Sequence, residues 1–441
     1  MEVFSILMQL AIVLALLHIK RNNSIRKNVL LVFSSFWLLA TILAYLNFTG
    51  NYVVNPDAYA LVAINVISFC IGIYSLNWKM PKSLSVNTDS WEVLIAKIDG
   101  LFSTKKFKYF VVTLTVYVLY LFVNYLDALM LSSAAELRTD FFSEDNNIYG
   151  SSFLFINSWI LKPSLYFLLV LLPFAFIRKK RFLFLLILLF LLIYNSLGGG
   201  RFGYVQIFWS LFFVFVIVLN KIVIRINLKT ILVSIFAVSC LYAIIAGATF
   251  MRMSSSPLED NSLRGEEVIT ETNEQISSYI SGPIAALGYS LDKDYCAKMG
   301  GYTHGKLTFA SIDYFLQIVL SKVGLGSDRL LPKFADIKQN DKIIINAKND
   351  RWNALYTAIL FFYLDFGWFG VFFLPMFLGF LVSVSFRELI MKKSLVALVL
   401  ANYCFLQVMH SVFDFCIIDF SDFILIVILA TIVLKSKKCI A

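Results

Sequence analysis

The sequence predicts an all-α, polytopic integral membrane protein with about eleven transmembrane helices and one large extracytoplasmic loop containing short helices. Of the 441 residues, 59% are hydrophobic and only 15% are charged, which is too little charge to cover the surface of a water-soluble protein of this length. The mean hydropathy is +0.79. Apolar runs close to the ~20 residues that span a bilayer also recur from one end of the chain to the other.

The first apolar run, Val3 to Ile19, ends in Lys20 and Arg21 and has no small-residue cleavage site after it, so we expect it to be a retained helix. The predicted spans cover residues 3–19, 28–47, 59–77, 109–130, 154–177, 182–198, 204–220, 230–250, 367–386, 394–413 and 418–434.

The distribution of basic residues predicts the orientation. Most of the 38 Lys and Arg residues fall in alternate connections and in the C-terminal tail, whereas the other short connections carry almost none beyond Arg138 and Arg201. Cytoplasmic loops carry the excess positive charge, so the N-terminus is expected outside and the C-terminus inside. Because the net charge of +10 is explained in this way, we do not expect nucleic acid as a partner.

This topology divides the chain into three segments. Residues 1–250 would form transmembrane helices 1–8, residues 251–352 a large outer loop that is a small helical subdomain on the membrane surface, and residues 353–441 the remaining spans. In the last segment an interfacial or re-entrant helix is expected at 353–364, followed by a turn at Asp365 to Gly367. Asp365 could cap the span after this turn.

The glycine-rich connection Gly198 to Tyr204 is the most distinctive local motif. Its glycines allow backbone N–H groups to approach a ligand closely, and Arg201 adds a planar donor that can bind two phosphate oxygens. The motif therefore predicts a site for a lipid-linked phosphate at the outer leaflet. The alternative is a tight turn whose Arg reaches the phosphates of ordinary lipids.

Further outer residues could act on an anionic substrate. His304, in the segment Tyr302 to Gly305, is the single histidine of the outer loop and could accept a proton near neutral pH, although a solvated or structural role is the alternative. His410, within a predicted span, is expected to be buried and structural. The outer arginines that could bind the substrate are Arg138, Arg252, Arg264 and Arg351.

Other kinds of chemistry lack the necessary residues. The three histidines are widely scattered, the six cysteines show no CxxC spacing, and there is no P-loop or Rossmann pattern. We therefore expect neither a metal centre nor a nucleotide cofactor.

The chain resembles the Wzy-type polymerases, which join O-antigen or other oligosaccharide repeat units in Gram-negative bacteria. The resemblance covers nearly the whole chain as topology. Locally it rests on Gly199-Gly200-Arg201, Phe250-Met251-Arg252, Tyr302-Thr303-His304-Gly305, Asn353-Ala354-Leu355-Tyr356-Thr357 and Tyr363-Leu364-Asp365-Phe366-Gly367-Trp368-Phe369-Gly370. An Arg-x10-Gly pattern described in some members is not matched, because Arg138 to Gly150 is one residue longer.

The resemblance implies a metal-independent glycosyltransferase in the bacterial inner membrane with its active site facing the periplasm. Its substrates would be oligosaccharides on undecaprenyl diphosphate, which would also be the leaving group. Arg201, His304 and Asp365 would be catalytic, with His304 ahead of Asp365 as the general base. Membrane lipid, a chain-length regulator and a flippase are the partners it suggests. Substrate would be bound by Arg138, Arg252, Arg264, Tyr302, Arg351 and Asn353.

Two other functions fit the same pattern. An O-antigen ligase uses the same lipid-linked donor with lipid A–core as acceptor. The alternative that is not an enzyme is a lipid-linked oligosaccharide flippase or transporter. Such transport pathways usually need ionisable residues inside the membrane, and the predicted spans carry few other than Lys162.

Overall fold

The fold is described in a computed structural model. It describes residues 1–18, 25–47, 52–76, 91–129, 153–197, 202–218, 264–321, 324, 334, 337, 356–413 and 420–435. These residues form helices and turns, with no strand among them. In chain order the helices are α1 (Glu2–His18), α2 (Ile25–Leu46), α3 (Pro56–Ser75), α4 (Glu92–Ser103), α5 (Lys105–Leu129), α6 (Phe153–Ile156, Asn157–Leu161 and Lys162–Ile177), α7 (Arg181–Leu197), α8 (Phe202–Phe212 and Phe213–Val218), α9 (Arg264–Asp292), α10 (Tyr295–Met299), α11 (Ala310–Ser321), α12 (Ala358–Lys392), α13 (Leu395–His410) and α14 (Phe420–Lys435).

Each predicted span falls on a helix, except 230–250, which lies outside the described residues; α4, α9, α10 and α11 correspond to no predicted span. The all-α class is therefore confirmed, and the chain has the multi-pass helical character of a membrane protein. The number of spans and their orientation stay predictions. In the described part of the chain, five helices are long and apolar enough to cross a membrane: Ile25–Leu46, Pro56–Ser75, Lys105–Ala128, Asn157–Ile177 and Ala358–Lys392.

The chain divides into two compact units. Unit 1 consists of residues 1–84, 274–392 and 403–441, and unit 2 of residues 85–273 and 393–402.

Unit 1 is built on the contact between α3 and α12. A Cβ atom on Gly72 would overlap the backbone carbonyl of Met376, and one on Gly379 would lie 2.5 Å from the backbone oxygen of Phe69. The Ser383 hydroxyl donates to the carbonyl of Ile73 at 3.0 Å. Small residues in membrane helices allow this close approach, in which van der Waals contact and interhelical hydrogen bonds provide the attraction.

Helix α12 has a break near its start and a buried ion pair near its end. Phe366 (φ −141°, ψ 15°) and Gly367 (φ 61°, ψ −144°) are non-helical, as expected for the turn at Asp365 to Gly367. The helix before the break begins at Ala358. At the other end Lys392 lies 3.1 Å from the Glu388 carboxylate, and its ammonium also donates to the carbonyl of Val433 in the last turn of α14. A cation at this position stabilises the carbonyl end of α14.

Part of the predicted outer loop is buried in unit 1. The side chains from Ser281 to Leu287 are buried, and a Cβ atom on Gly288 would lie only 2.9 Å from the backbone nitrogen of Asn55. This differs from the expected helix on a membrane surface with one face in water. The physical reason is that this part of α9 is itself made of small and aliphatic residues, which can be buried on every side at little cost.

Unit 2 has an apolar core with a few polar contacts between helices. Arg178, after α6, forms a salt bridge with Asp99 of α4. Asn402 donates from its amide nitrogen to the hydroxyl of Ser210 in α8 at 3.0 Å, and both side chains are fully buried. Helix α6 contains the π-helical turn Asn157–Leu161, and α8 ends in the π-helical segment Phe213–Val218.

Candidate functional site: a turn bound to a helix break

The segment Tyr302 to Gly305 lies against the break in α12. The backbone N–H of Thr303 donates to the carbonyl of Leu364 at 3.0 Å, and that of His304 donates to the carbonyl of Asp365 at 3.1 Å. A helix that breaks at Phe366 leaves carbonyls without intrahelical partners, and the turn supplies donors to two of them. Two segments about 60 residues apart in sequence are thereby held together.

The carboxylate of Asp365 anchors the same turn from inside. This side chain is fully buried, and both of its oxygens accept hydrogen bonds. Oδ1 accepts from the Leu307 N–H at 3.1 Å and from the Thr303 hydroxyl, and Oδ2 accepts from the Thr308 N–H at 2.6 Å. We expected Asp365 to cap the span that follows it, but its carboxylate instead binds the turn before α11. Three donors compensate the loss of water around the buried carboxylate.

The backbone of the turn is held in an uncommon conformation. His304 has φ 51° and Gly305 has φ 89°, both in the left-handed region. Among non-glycine residues His, Asn and Asp adopt this region most readily. The turn thus projects the His304 side chain to the exterior, where it is exposed.

Aromatic rings lie against the glycines of the turn and of the break. Tyr302 is 48% exposed, and a Cβ atom on Gly367 would lie 2.8 Å from its hydroxyl. A Cβ atom on Gly305 would lie 3.3 Å from the rings of Phe309 and Phe366. Both glycines therefore have positive φ and close ring contacts, so a side chain at either position would strain the backbone and displace an aromatic ring.

The structure brings together three of the predicted site residues: Tyr302, His304 and Asp365. Arg264 is the first residue of α9, and its side chain is not described. His410 is fully buried, as predicted. The remaining predicted site residues lie outside the described residues: Arg138, Arg201, Arg252, Arg351 and Asn353.

Sequence reasoning identified both halves of the site but missed the contact between them. In the sequence, the segment Tyr302 to Gly305 stands out by its histidine, and Asp365 stands out by its place in the predicted helix break. The donors to the carboxylate are Thr303 and two backbone N–H groups. Backbone donors leave no signature in a sequence, whereas Thr303 and Gly305 on either side of His304 are the one signal for a tight polar turn.

The two ionisable side chains of this site differ in what they can do. The His304 imidazole is exposed and can exchange a proton with a bound molecule. The Asp365 carboxylate is enclosed, and its lone pairs are directed at groups of the protein. No group of three or more His, Cys, Asp or Glu that could hold a metal ion occurs in the described part of the chain.

Comparison of the chain with family models, with curated proteins and with solved structures finds no match.

Proposed function

We propose that this protein is a repeat-unit polymerase of the bacterial inner membrane. It would join undecaprenyl-diphosphate-linked oligosaccharides at the periplasmic face by transferring the growing glycan to the next lipid-linked unit. The observation that carries the proposal is the binding of the Tyr302–Gly305 turn to the break in α12. An exposed imidazole is thereby held on a fixed turn, whose glycine packs against aromatic rings, at one end of a long apolar helix.

The position of the break along α12 supports this assignment. About 25 residues separate Gly367 from Lys392, and at 1.5 Å per residue they cover more than the ~30 Å hydrocarbon core. The predicted topology puts Lys392 on the cytoplasmic side. On that topology the break and His304 lie at the periplasmic surface, where a polyprenyl diphosphate presents its glycan.

The reaction requires a general base and a stabilised leaving group. An acceptor hydroxyl gives its proton to the His304 imidazole as its oxygen attacks the anomeric carbon of the donor glycan. The bond from that carbon to the diphosphate oxygen breaks, and undecaprenyl diphosphate departs with the electron pair. Arg201 and the other outer arginines are proposed to stabilise the charge on the diphosphate.

Asp365 has a positioning role in this proposal. Its carboxylate fixes the turn through Thr303, Leu307 and Thr308, and the turn fixes His304. Because the Asp365 carboxylate is used in this way, the His304 imidazole is the group proposed to accept the substrate proton.

Deletion of the protein is the first test. Lipid A–core should then carry a single repeat unit in place of a ladder of glycan lengths, as seen by gel electrophoresis of extracted lipopolysaccharide. Complete absence of repeat units would instead indicate a ligase or a flippase and would overturn the polymerase assignment.

The second test is His304→Asn in the complemented strain. Asn tolerates the left-handed backbone at this position but does not accept a proton at neutral pH, so the turn is kept and the base is lost. The rate of polymerisation should fall by at least about a hundredfold. Lys306→Ala, a change at an exposed side chain of the same turn, is the matched control and should leave the ladder intact. A full ladder from a normally accumulating His304→Asn protein would remove His304 as the base.

A further inference from the structure

The connection between α6 and α7 carries four consecutive basic residues. Arg178, Lys179, Lys180 and Arg181 follow the last residue of one apolar helix and lead directly into the next, and all four side chains are exposed. We call these four residues the basic turn. The proposed reaction does not use them.

The backbone of the basic turn is fixed by hydrogen bonds. The Lys180 N–H donates to the carbonyl of Ala175 at 3.0 Å, and the Lys179 N–H donates to the carbonyl of Phe176 at 3.1 Å. Lys179 has φ 54°, so these two bonds form the Schellman motif that ends many helices. Four cations are thereby held within one short turn despite their mutual repulsion.

An acidic side chain of α4 contacts the basic turn. Asp99 accepts a hydrogen bond from Nε of Arg178 at 2.9 Å and forms a salt bridge with the same guanidinium. This pair orients Arg178, which is still 48% exposed. Among the described residues, no acidic side chain forms an ion pair with the other three cations, so the turn keeps an excess of positive charge.

The basic turn lies where an apolar helix ends. Asn157–Ile177 is long and apolar enough to cross a membrane, and the next residue is Arg178. Large rings stand on both sides of the turn in sequence, with Phe176 62% exposed and Phe182 64% exposed. Cations that directly follow an apolar span lie at the level of the lipid phosphates, and apolar rings beside them can reach the acyl chains.

We propose that the basic turn binds the headgroup of an anionic phospholipid, with Phe176 and Phe182 against its acyl chains. The positive charge selects an anion, and the rings select an anion that carries apolar chains. On the predicted topology this connection is cytoplasmic, so the lipid belongs to the cytoplasmic leaflet and is distinct from the substrate of the proposed reaction. The inference goes beyond the polymerase assignment and does not depend on it.

The competing explanation is that these cations serve only to orient the chain during insertion into the membrane. A charge that orients the chain needs neither a particular conformation nor a partner. The Schellman motif, the salt bridge to Asp99 and the two exposed rings give the basic turn a defined surface, and this favours a ligand.

The experiment measures lipid binding to the full chain in dodecyl maltoside by native mass spectrometry. The probes are phosphatidylglycerol, phosphatidylcholine with the same acyl chains, and glycerophosphoglycerol, which is the anionic headgroup without acyl chains. Phosphatidylglycerol should bind at least about tenfold more tightly than phosphatidylcholine. Lys179→Gln combined with Lys180→Gln should abolish this preference, because each cation near an anionic surface contributes about fivefold in affinity.

The matched control is Lys293→Gln combined with Lys298→Gln, which removes two exposed lysines of unit 1 and should leave the preference unchanged. Phe182→Ala should weaken the binding of both lipids to a similar extent, because it removes apolar contact and no charge. Equal binding of the two lipids, binding of glycerophosphoglycerol as tight as that of phosphatidylglycerol, or a preference that survives the loss of Lys179 and Lys180 would overturn the proposal.

Discussion

The turn in unit 1 and the polar contacts of Tyr194 and Ser196 in unit 2 are organised by different kinds of interaction. In unit 1 a fully buried carboxylate accepts from a hydroxyl and two backbone N–H groups. In unit 2 neutral side chains pair with one another while staying half-exposed. A buried charge holds a backbone in place strongly because its partners have no water to replace it, whereas half-exposed neutral groups can exchange one partner for another.

This difference bears on the proposed reaction. A base must stay fixed relative to the reacting atoms, and the turn at His304 has the interactions for that. The half-exposed polar contacts of Tyr194 and Ser196 in unit 2 leave their side chains free to exchange one partner for another. The following predictions test the contrast, beginning with the largest effect.

Removing the Asp365 carboxylate should have the largest effect. Asp365→Ala leaves buried donors from Thr303, Leu307 and Thr308 without their acceptor, which should cost roughly 3 kcal/mol or more in the free energy of unfolding. Thermal unfolding of the purified protein in detergent measures this loss of stability. Asp57→Ala removes an exposed carboxylate of unit 1 and should cost much less. If the two variants unfold at similar temperatures, the buried carboxylate does not anchor the turn.

The two regions should also differ in their response to an added methyl group. Gly367→Ala must adopt φ 61° and also meets the Tyr302 hydroxyl, so we expect a loss of about 2 kcal/mol. Gly203→Ala lies in regular helix and needs no positive φ, but its Cβ would overlap the Asn195 side chain as far as the Cβ at 2.9 Å, so a small helix shift should cost about 1 kcal/mol, less than at Gly367. Equal losses by thermal unfolding would contradict the contrast between a fixed backbone and exchangeable side chains.

The smallest effect concerns Tyr52, a half-buried residue of unit 1. Its hydroxyl donates to Asp292 at 2.7 Å, and this hydrogen bond, with burial, raises the pKa of Tyr52 from 10.0 to about 12. A pKa that is higher in the folded state contributes stability below pH 10, and that contribution is lost as the pH rises through 12. Absorbance titration of the phenolate, with Tyr52→Phe as the reference, should show the late titration. A Tyr52 signal with a midpoint near pH 10 would exclude the contact with Asp292.

The sequence was informative about the helices for a simple physical reason. A span must be apolar over a fixed length, so composition alone located α1 to α3 and the break in α12. The residues Asp365 and Gly367 marked that break because an acidic residue and a glycine interrupt a long apolar run. These features are local, and local features are readable from one sequence.

The partners of Asp365 and the burial of α9 could not be read in the same way. The carboxylate binds backbone N–H groups, which every residue type carries, and its place in the chain suggested a cap for its own helix. Ile276 to Leu291 shows an amphipathic pattern, but the structure encloses Ser281 to Leu287 on all sides. Both outcomes depend on contacts between distant segments, and a single sequence does not contain them.

The contact between α3 and α12 determines where unit 1 can move. Gly72 and Gly379 bring the two backbones together, and Ser383 adds a hydrogen bond to α3, at levels spread over about 10 Å of helix. Sliding α12 by one turn of ~5.4 Å would drive side chains into backbone carbonyls, so the long part of this helix cannot shift along its neighbour. The register of α12 on α3 therefore also fixes the level at which the break at Gly367, and the turn bound to it, lie along unit 1.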